Sequence, residues 1–387
     1  MTIEQAGPDL LNQLNHSSIH MRRKARAYNK RKRNSRKMLK DIATTSIKHK
    51  IQKIPAFFIP LFCLILMLVF SCPTGAETAS PPHRIALLYP QSLGLLFILD
   101  LTGQVVCLPR QATALNNGEV GPFYRSMAPA FEKAADSGQT SIPNIETILS
   151  ASPDFIIAAD DKSAAGNVVN TLEQQGIRTI RLQAGFGTID AWLKSVESLG
   201  KMTGRAAKAD SYRDFFRARL ALVASRTADI PKTERIKVAM INTTGNQMVL
   251  RGSRATYGLN LIRLAGGRLL DSGDDPADSA GCAELLFAFD PDLIIDDAKN
   301  DIFYRASWWE SLRAVKEKRV YKTPADDRQA WVTNWFLPAY SPVGILWLAK
   351  KFYPERFADI DLRAEHENFC RMLYGRPFAH AGTGFDN

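Results

Sequence analysis

Cysteine and histidine are scarce in this sequence, with 5 and 6 copies among 387 residues. Beyond residue 76 the cysteines are Cys107, Cys282 and Cys370, and the histidines are His83, His366 and His380. The odd number and wide spacing of the cysteines exclude a disulfide framework, although one bridge stays open, and each cysteine fits a small buried hydrophobic residue. The histidines lie near the two ends of this stretch and do not supply three or four converging metal ligands. We therefore predict no metal site.

Motifs for common enzymatic chemistry are also missing. The sequence contains no glycine-rich phosphate loop, no nucleophile elbow and no Cys/His cluster. Gly258, Gly266 and Gly267 stand at helix boundaries and do not form a dinucleotide-binding fingerprint. We predict no catalytic residue, no enzyme and no cofactor, although an α/β fold around a cleft also suits transferases and reductases.

Net charge is absent outside the first 53 residues. Residues 1–53 hold 14 Lys or Arg and three acidic residues, which account for the whole net charge of +11. The remaining chain carries 36 basic and 36 acidic side chains, so it offers no overall attraction for nucleic acid.

The N-terminal segment has the pattern of an export signal. Residues 1–53 form a basic leader, expected to be disordered, and residues 54–76 contain no charged side chain. The apolar core of about 15 residues is short for a membrane-spanning helix, and small residues follow it. We predict cleavage after Ala76 and a periplasmic location. An uncleaved anchor, a lipid-modified Cys72 and a start codon downstream of Met1 are the alternatives.

Beyond the leader, short apolar strands alternate with helices, which is typical of parallel α/β sheets. Predicted strands are Arg84–Leu88, Gln104–Leu108, Asp154–Ala159, Arg178–Leu182, Lys237–Ile241, Met248–Arg251, Leu293–Asp296 and Arg319–Tyr321. Residues 109–143 are expected to be rich in loops. Residues 188–230 show helical spacing without a strand, and residues 205–226 as one helix would span about 33 Å. We predict two Rossmann-like α/β lobes, 83–187 and 231–375, each with a mostly parallel sheet, joined by one long α-helix within the linker 188–230, and a tail at 376–387.

An internal repeat favours two related lobes. The segment from Glu146 to Ile157 aligns without a gap with the segment from Glu284 to Ile295. Each segment is predicted to form a helix that begins with an acidic residue, then a Pro-Asp turn and a buried strand. Proline suits the turn because it ends the helix. Chance similarity between two helix–turn–strand units is the alternative.

These features resemble the periplasmic solute-binding proteins of ABC importers for iron–siderophore, haem or vitamin B12, the group with a helical hinge. The resemblance covers residues 83–375, and its most specific pieces are residues 82–88, 143–157, 257–267 and 308–321. It implies a monomeric extracytoplasmic binding component for an iron–siderophore or haem complex, with an ABC permease and ATPase as partners. A cobalamin or other metal-chelate binding protein is one alternative. A ligand-sensing surface protein not coupled to transport is another.

The resemblance also implies a docking role for one acidic residue on each lobe. In that family such residues contact arginines of the permease, and Glu146 and Glu284 stand at the matching places of the repeat. The alternative is that both are acids favoured by the helix dipole at a helix start. Many relatives carry a glutamate where this chain has Gly94.

The ligand is expected between the lobes, at loops that follow the carboxyl ends of strands. Aromatic faces would cover a chelate or macrocycle, and arginines would pair with its carboxylates or phenolates. The predicted contacts are Tyr89, Arg110, Tyr124 and Arg125 in the first lobe and Arg251, Arg254, Tyr257, Arg328, Trp331 and Trp335 in the second.

Overall fold

The computed structural model describes most of the chain beyond residue 82. The described ranges are 83–113, 121–160, 164–183, 187–244, 247–250, 256–270, 279–296, 302–305, 307–326 and 333–377. The described residues belong to one compact unit. The predicted leader, the cleavage site and residues 378–387 of the predicted tail lie outside the described ranges. Within those ranges, no helix is both long enough and apolar enough to cross a membrane.

The first sheet is parallel and is built from short strands. The strands of this half are β1 (Ile85–Leu87), β2 (Val105–Leu108), β3 (Ala135–Asp136), β4 (Gly138–Gln139), β5 (Ile142–Pro143), β6 (Phe155–Ala159) and β7 (Arg178–Leu182). The order in the sheet is β3-β2-β1-β6-β7 with parallel neighbours, while β4 pairs with β5 as an antiparallel hairpin. Strands β1 and β6 are buried apolar runs, as expected where helices cover both faces of a sheet.

Helices connect the strands of the first sheet. They are α1 (Leu93–Ile98), α2 (Arg110–Thr113), α3 (Gly121–Met127), α4 (Ile145–Ser150) and α5 (Ala164–Gln174). Helix α4 begins after Asn144, whose side-chain oxygen accepts a hydrogen bond from the backbone N of Thr147 at 3.0 Å. The segment 109–143 was expected to be rich in loops, but it contains α2, α3 and strands β3 to β5.

Two helices follow the first sheet. Helix α6 (Ile189–Met202) begins after Thr188, whose hydroxyl oxygen accepts from the backbone N of Ala191 at 3.2 Å. Helix α7 (Ala206–Thr227) has 22 residues, so it is about 33 Å long. The long helix predicted over 205–226 is confirmed.

The second sheet repeats the parallel arrangement. Its strands are β8 (Lys237–Thr244), β9 (Gln247–Leu250), β10 (Arg268–Leu269), β11 (Leu293–Asp296) and β12 (Val320–Lys322). The parallel order is β10-β8-β11-β12, and β9 pairs antiparallel with β8. The helices of this half are α8 (Thr256–Leu264), α9 (Ser279–Phe289), α10 (Arg313–Lys316), α11 (Ser341–Phe352) and α12 (Leu362–Tyr374). Short 3-10 helices precede α10 at Ile302–Tyr304 and Ser307–Ser311. The predicted fold of two α/β lobes joined by a long helix is confirmed.

The helix–turn–strand units of the two lobes share the same hydrogen bonds. The carboxylate oxygen Oδ2 of Asp154 accepts from the backbone N of Arg84 at 2.7 Å, where β1 begins. In the second lobe, Oδ2 of Asp292 accepts from the backbone N of Lys237 at 2.7 Å, where β8 begins. The equivalent turn residues, each with φ of 46°, are Ser152 and Asp290. Because both the contacts and the backbone angles match, the repeat is a structural unit that occurs once in each lobe. Chance similarity of sequence would not produce these matches.

One hydrophobic cluster runs through both lobes and the long helix. It contains Leu87 from β1, Phe216 from α7 and Ile295 from β11. Helix α7 contacts α1 on the first-lobe side and α8 and α11 on the second-lobe side. The last helix, α12, contacts α1, and the rings of Phe97 and Tyr374 lie 5.1 Å apart in an edge-to-face arrangement. The two sheets therefore share a core that is continuous through α7.

Candidate functional site

Polar groups lie at the carboxyl ends of strands in both sheets, where α/β proteins bind ligands. In the second sheet, Asp296 ends β11 and is only 2% exposed. Its Oδ2 accepts from the hydroxyl of Thr243 on β8 at 2.7 Å, and its Oδ1 accepts from the backbone N of Thr243 at 3.3 Å. These contacts satisfy a carboxylate that burial would otherwise penalise. Sequence reasoning missed Asp296, although an acidic residue that closes a buried apolar strand was a usable signal.

Arg110 follows β2 directly and is the most exposed of the predicted contacts that the structure describes. Its side chain is 68% exposed, and its Nε lies 3.1 Å from Oδ2 of Asp136 at the end of β3. The pKa of Asp136 is lowered, first by the hydrogen bond from the backbone N of Gly138 and then by Arg110. The arrangement holds a guanidinium at the sheet edge by a solvent-exposed ion pair, which contributes little to stability.

Tyr124 and Arg125 are neighbours on α3 but face different surroundings. The side chain of Tyr124 is buried, and its hydroxyl lies 3.4 Å from that of Tyr374, which in turn lies 3.1 Å from that of Tyr340. Burial raises the pKa of Tyr124 well above its ordinary value. Arg125 is partly exposed, with its Nε 3.9 Å from Oε1 of Glu132. Of this pair, the structure places the arginine at the surface and the tyrosine in the core.

The other predicted aromatic contacts are buried as well. Tyr89 follows β1 and is 9% exposed. Tyr257 lies on α8 with its hydroxyl 2.9 Å from that of Ser341, and Trp335 donates from Nε1 to Oδ1 of Asp326 at 2.7 Å. The predicted contacts outside the described residues are Arg251, Arg254, Arg328 and Trp331.

Both predicted docking acids lie on exposed helical faces. Glu146 on α4 and Glu284 on α9 are solvent-exposed. Three residues further along each helix stands an exposed apolar side chain, Leu149 at 39% and Phe287 at 37%. Residues three apart share one face of a helix, so each lobe presents a carboxylate beside an apolar group.

An exposed aromatic surface adjoins α9. The ring of Phe287 lies 5.7 Å from that of Trp308 and stacks on that of buried Trp309 at 5.5 Å. Trp308 is 54% exposed and lies 3.8 Å from Trp309, ring centre to ring centre. The pair Phe287 and Trp308, here called the aromatic patch, is apolar surface that a partner protein could cover.

A buried cluster of titratable groups, here called the Asp–His–Cys cluster, consists of Asp326, His366 and Cys370. Nε2 of His366 lies 2.7 Å from Oδ1 of Asp326, and Sγ of Cys370 lies 3.5 Å from Nε2 of His366. All three residues are buried. Sequence reasoning missed this cluster, although the spacing of four between His366 and Cys370 places them on one helix face.

The three cysteines are buried, as the sequence predicts. Cys107, Cys282 and Cys370 are buried thiols, and no disulfide joins them. Burial raises the pKa of Cys107 and of Cys282 to about 11. Both thiols are therefore protonated and unreactive at neutral pH.

Comparison with known proteins agrees with this geometry. A family model described as periplasmic binding protein matches residues 85–326. The chain is similar to molybdate-binding protein MolA of Haemophilus influenzae, at 23% identity over 81% of this chain and 94% of MolA. It is also similar to the Fe(3+)-citrate-binding protein YfmC of Bacillus subtilis, at 25% identity over 50% of this chain and 60% of YfmC. The structure of MolA bound to molybdate superimposes with a TM-score of 0.63 at 21% identity, covering 77% of this chain and 95% of MolA. The resemblance predicted from the sequence is confirmed, and the chain belongs to the periplasmic binding protein family.

Proposed function

We propose that this protein is the extracytoplasmic substrate-binding component of an ABC importer and that its ligand is a compact anionic metal complex. The observation that carries the ligand class is Arg110, a largely exposed guanidinium at the carboxyl end of β2. A guanidinium donates two parallel hydrogen bonds to a carboxylate or an oxyanion. The ion pair with Asp136 is solvent-exposed, and such pairs contribute little to stability, so a ligand anion can compete with Asp136 for the guanidinium.

Further arginines support an anionic ligand. Arg125 adds a second guanidinium on the first lobe, with a long contact of 3.9 Å to Glu132. Arg251, Arg254 and Arg328 are expected from the sequence alone to add positive charge on the second lobe. A ferric carboxylate chelate and a molybdate-like oxyanion share the chemistry that such residues recognise.

The buried aromatic residues favour a compact ligand over a macrocycle. The predicted aromatic contacts that the structure describes are Tyr89, Tyr124, Tyr257 and Trp335, and all are buried. In this conformation they present little aromatic face to a haem or a corrinoid. Among the ligands expected from the sequence, an iron chelate with carboxylate groups therefore fits better than haem or cobalamin. The relatives include molybdate-binding and ferric citrate-binding proteins but also cobalamin-binding ones, so the preference for a compact ligand rests on the buried aromatic residues.

The docking surfaces support a permease as partner. Each lobe presents one carboxylate and one exposed apolar side chain on the same helix face, Glu146 with Leu149 and Glu284 with Phe287. An apolar centre with charged and polar groups around it is the ordinary anatomy of a protein interface. On the second lobe, the aromatic patch enlarges the apolar surface beside Glu284. A sensor that is not coupled to transport would not need two matched surfaces.

The ligand class is tested by calorimetric titration of the purified protein with molybdate, ferric citrate, a ferric siderophore, haem and cobalamin. We expect saturable binding of one anionic complex, and Arg110→Gln should weaken it by at least tenfold, about 1.4 kcal/mol. Arg371→Gln is the matched control, because Arg371 is also exposed and ion-paired, with Glu367, but lies on α12. Binding of cobalamin alone, unaffected by Arg110→Gln, would refute the anionic ligand.

The transport role is tested separately by uptake of the ligand into cells. The double variant Glu146→Gln, Glu284→Gln should abolish uptake while the purified variant binds ligand as before. Glu355→Gln, at an exposed position between α11 and α12, is the control. Uptake that continues without this protein would favour the sensor.

A further inference from the structure

The Asp–His–Cys cluster is unlike an ordinary buried polar contact. Oδ1 of Asp326 accepts both from Nε1 of Trp335 and, in the tautomer that donates, from Nε2 of His366, each at 2.7 Å. The second oxygen, Oδ2, is buried and has no hydrogen-bond partner among the described residues. A buried carboxylate oxygen without a partner is unfavourable unless another group compensates it.

We propose that Asp326, His366 and Cys370 bind a divalent transition metal ion of the zinc type. One oxygen, one nitrogen and one sulfur ligand atom lie within 4.8 Å of one another. Zinc bonds of about 2.0–2.1 Å to nitrogen and about 2.3 Å to sulfur place these two ligand atoms about 3.6 Å apart in a tetrahedral site. The observed separation of 3.5 Å between Nε2 of His366 and Sγ of Cys370 already matches that edge.

Charge balance favours the same conclusion. A carboxylate from Asp326, a thiolate from Cys370 and a neutral imidazole from His366 carry two negative charges, which one divalent cation neutralises. Bound metal would remove the cost of the buried carboxylate and would deprotonate the thiol, as metal coordination does. Coordination of Nε2 of His366 would replace its present hydrogen bond to Asp326, while Oδ1 can keep the hydrogen bond from Trp335 and Oδ2 is the carboxylate oxygen left for the ion.

The residues around the cluster fit the support that metal sites have. Trp335 fixes the carboxylate by its hydrogen bond, and its ring stacks on that of His366 with centres 5.1 Å apart. Groups that orient the metal ligands in this way are a regular part of metal sites. Three protein ligands leave one tetrahedral position for a water molecule or another ligand.

The position of the cluster indicates a structural role. Asp326 lies four residues after the end of β12, whereas His366 and Cys370 lie on α12, which contacts α1 beside the first sheet. A metal ion would fasten α12 to the segment that follows β12. Asp326 also stands immediately before residues 327–332, where the sequence predicts the ligand contacts Arg328 and Trp331. This site is independent of the proposed transport role.

The test begins with the metal content of protein produced in zinc-supplemented medium, with leader cysteines Cys63 and Cys72 replaced by serine. We expect about one zinc ion per chain. Protein refolded with Co²⁺ should show thiolate-to-cobalt charge-transfer absorption and the visible bands of tetrahedral cobalt. Cys370→Ser should remove the charge-transfer band and weaken Zn²⁺ binding by at least about tenfold.

Two further variants locate the site. His366→Gln should also weaken Zn²⁺ binding, whereas Cys282→Ser, a substitution of another buried cysteine, should leave it unchanged. Failure of the protein to retain Zn²⁺ or Co²⁺ would overturn the proposal, as would a charge-transfer band that survives in Cys370→Ser. If Cys370→Ser does not refold, the band in a Cys107→Ser, Cys282→Ser variant decides, because Cys370 is then the remaining thiol.

Discussion

Gly94 allows a close approach between α1 and the chain segment that precedes α11. A Cβ atom added at Gly94 would lie 2.3 Å from Cβ of Ala339 and 3.4 Å from the ring of Tyr340. Carbon atoms that are not bonded normally approach to about 3.5–4.0 Å, so one side of the contact must move by more than about 1 Å. Both sides belong to the buried core, and Cβ of Ala339 cannot rotate away.

Gly94→Ala should therefore destabilise the protein. Overpacking of this kind costs about 1–3 kcal/mol, and the short distance argues for the upper end of that range. Alanine recovers about 1 kcal/mol through its better helix propensity, which leaves a net loss of about 2 kcal/mol. Urea unfolding followed by circular dichroism should show a lower midpoint at an unchanged slope.

Gly103→Ala is the matched control. Gly103 lies in a short 3-10 helix after α1, and a Cβ atom there would meet nothing within 4 Å. Its free energy of unfolding should change by less than about 0.5 kcal/mol. Equal stabilities of the two variants would refute the packing argument at Gly94.

The remaining predictions concern the repeat, the buried tyrosines and the lobes. Asp154→Ala and Asp292→Ala should each lower the free energy of unfolding by about 1–2 kcal/mol, because each removes the same hydrogen bond at the start of a central strand, and Asp292→Ala should cost more because it also removes the 2.6 Å contact with Arg313. A loss in urea unfolding for one variant and none for the other would argue against equivalent units. Burial raises the pKa of Tyr124, Tyr340 and Tyr374, so the unfolded chain loses these protons first and stability should fall as pH rises above about 10. Denaturation between pH 9 and 11 would show this, and Tyr340→Phe should reduce the slope. Ligand should move the lobes only slightly, and a closure of tens of degrees in X-ray scattering would contradict this.

The sequence predicted best those elements whose signal is local. Strands β7 and β11 have the predicted bounds, and α7 differs by one residue at each end. A continuous apolar run defines β11 without knowledge of its neighbours, and Gly176, which follows the preceding helix, marks the start of β7. The helices and strands within residues 109–143 were not predicted. Strand β3, for example, has only two residues and is defined by its pairing with β2. A pairing of that kind leaves no periodic pattern in the sequence.

The ligand contacts proposed from the sequence stay predictions, and the structure adds their exposure. Arg110 is exposed after the end of β2. Tyr257 and Trp335 are buried, and sequence spacing does not reveal the direction of their side chains. The Asp–His–Cys cluster joins residues 40 positions apart in the chain, so only the folded contact between α12 and the segment after β12 brings it together.

The connection between the lobes limits how ligand binding can be signalled to a partner. Tyr212 on α7 accepts from Nε1 of Trp192 at 3.1 Å and donates to the carbonyl of Pro338 at 2.9 Å, so the long helix is bonded on both sides within the core. Arg219 on α7 also pairs with Glu365 on α12 at 2.7 Å. Opening the lobes widely would break these buried contacts and expose the apolar core that α7 shares with both sheets. Ligand binding can drive such opening only by as much as the ligand affinity differs between the two arrangements of the lobes. The proposed docking at Glu146 and Glu284 therefore requires the permease to distinguish the loaded protein by small changes in the distance between these two residues.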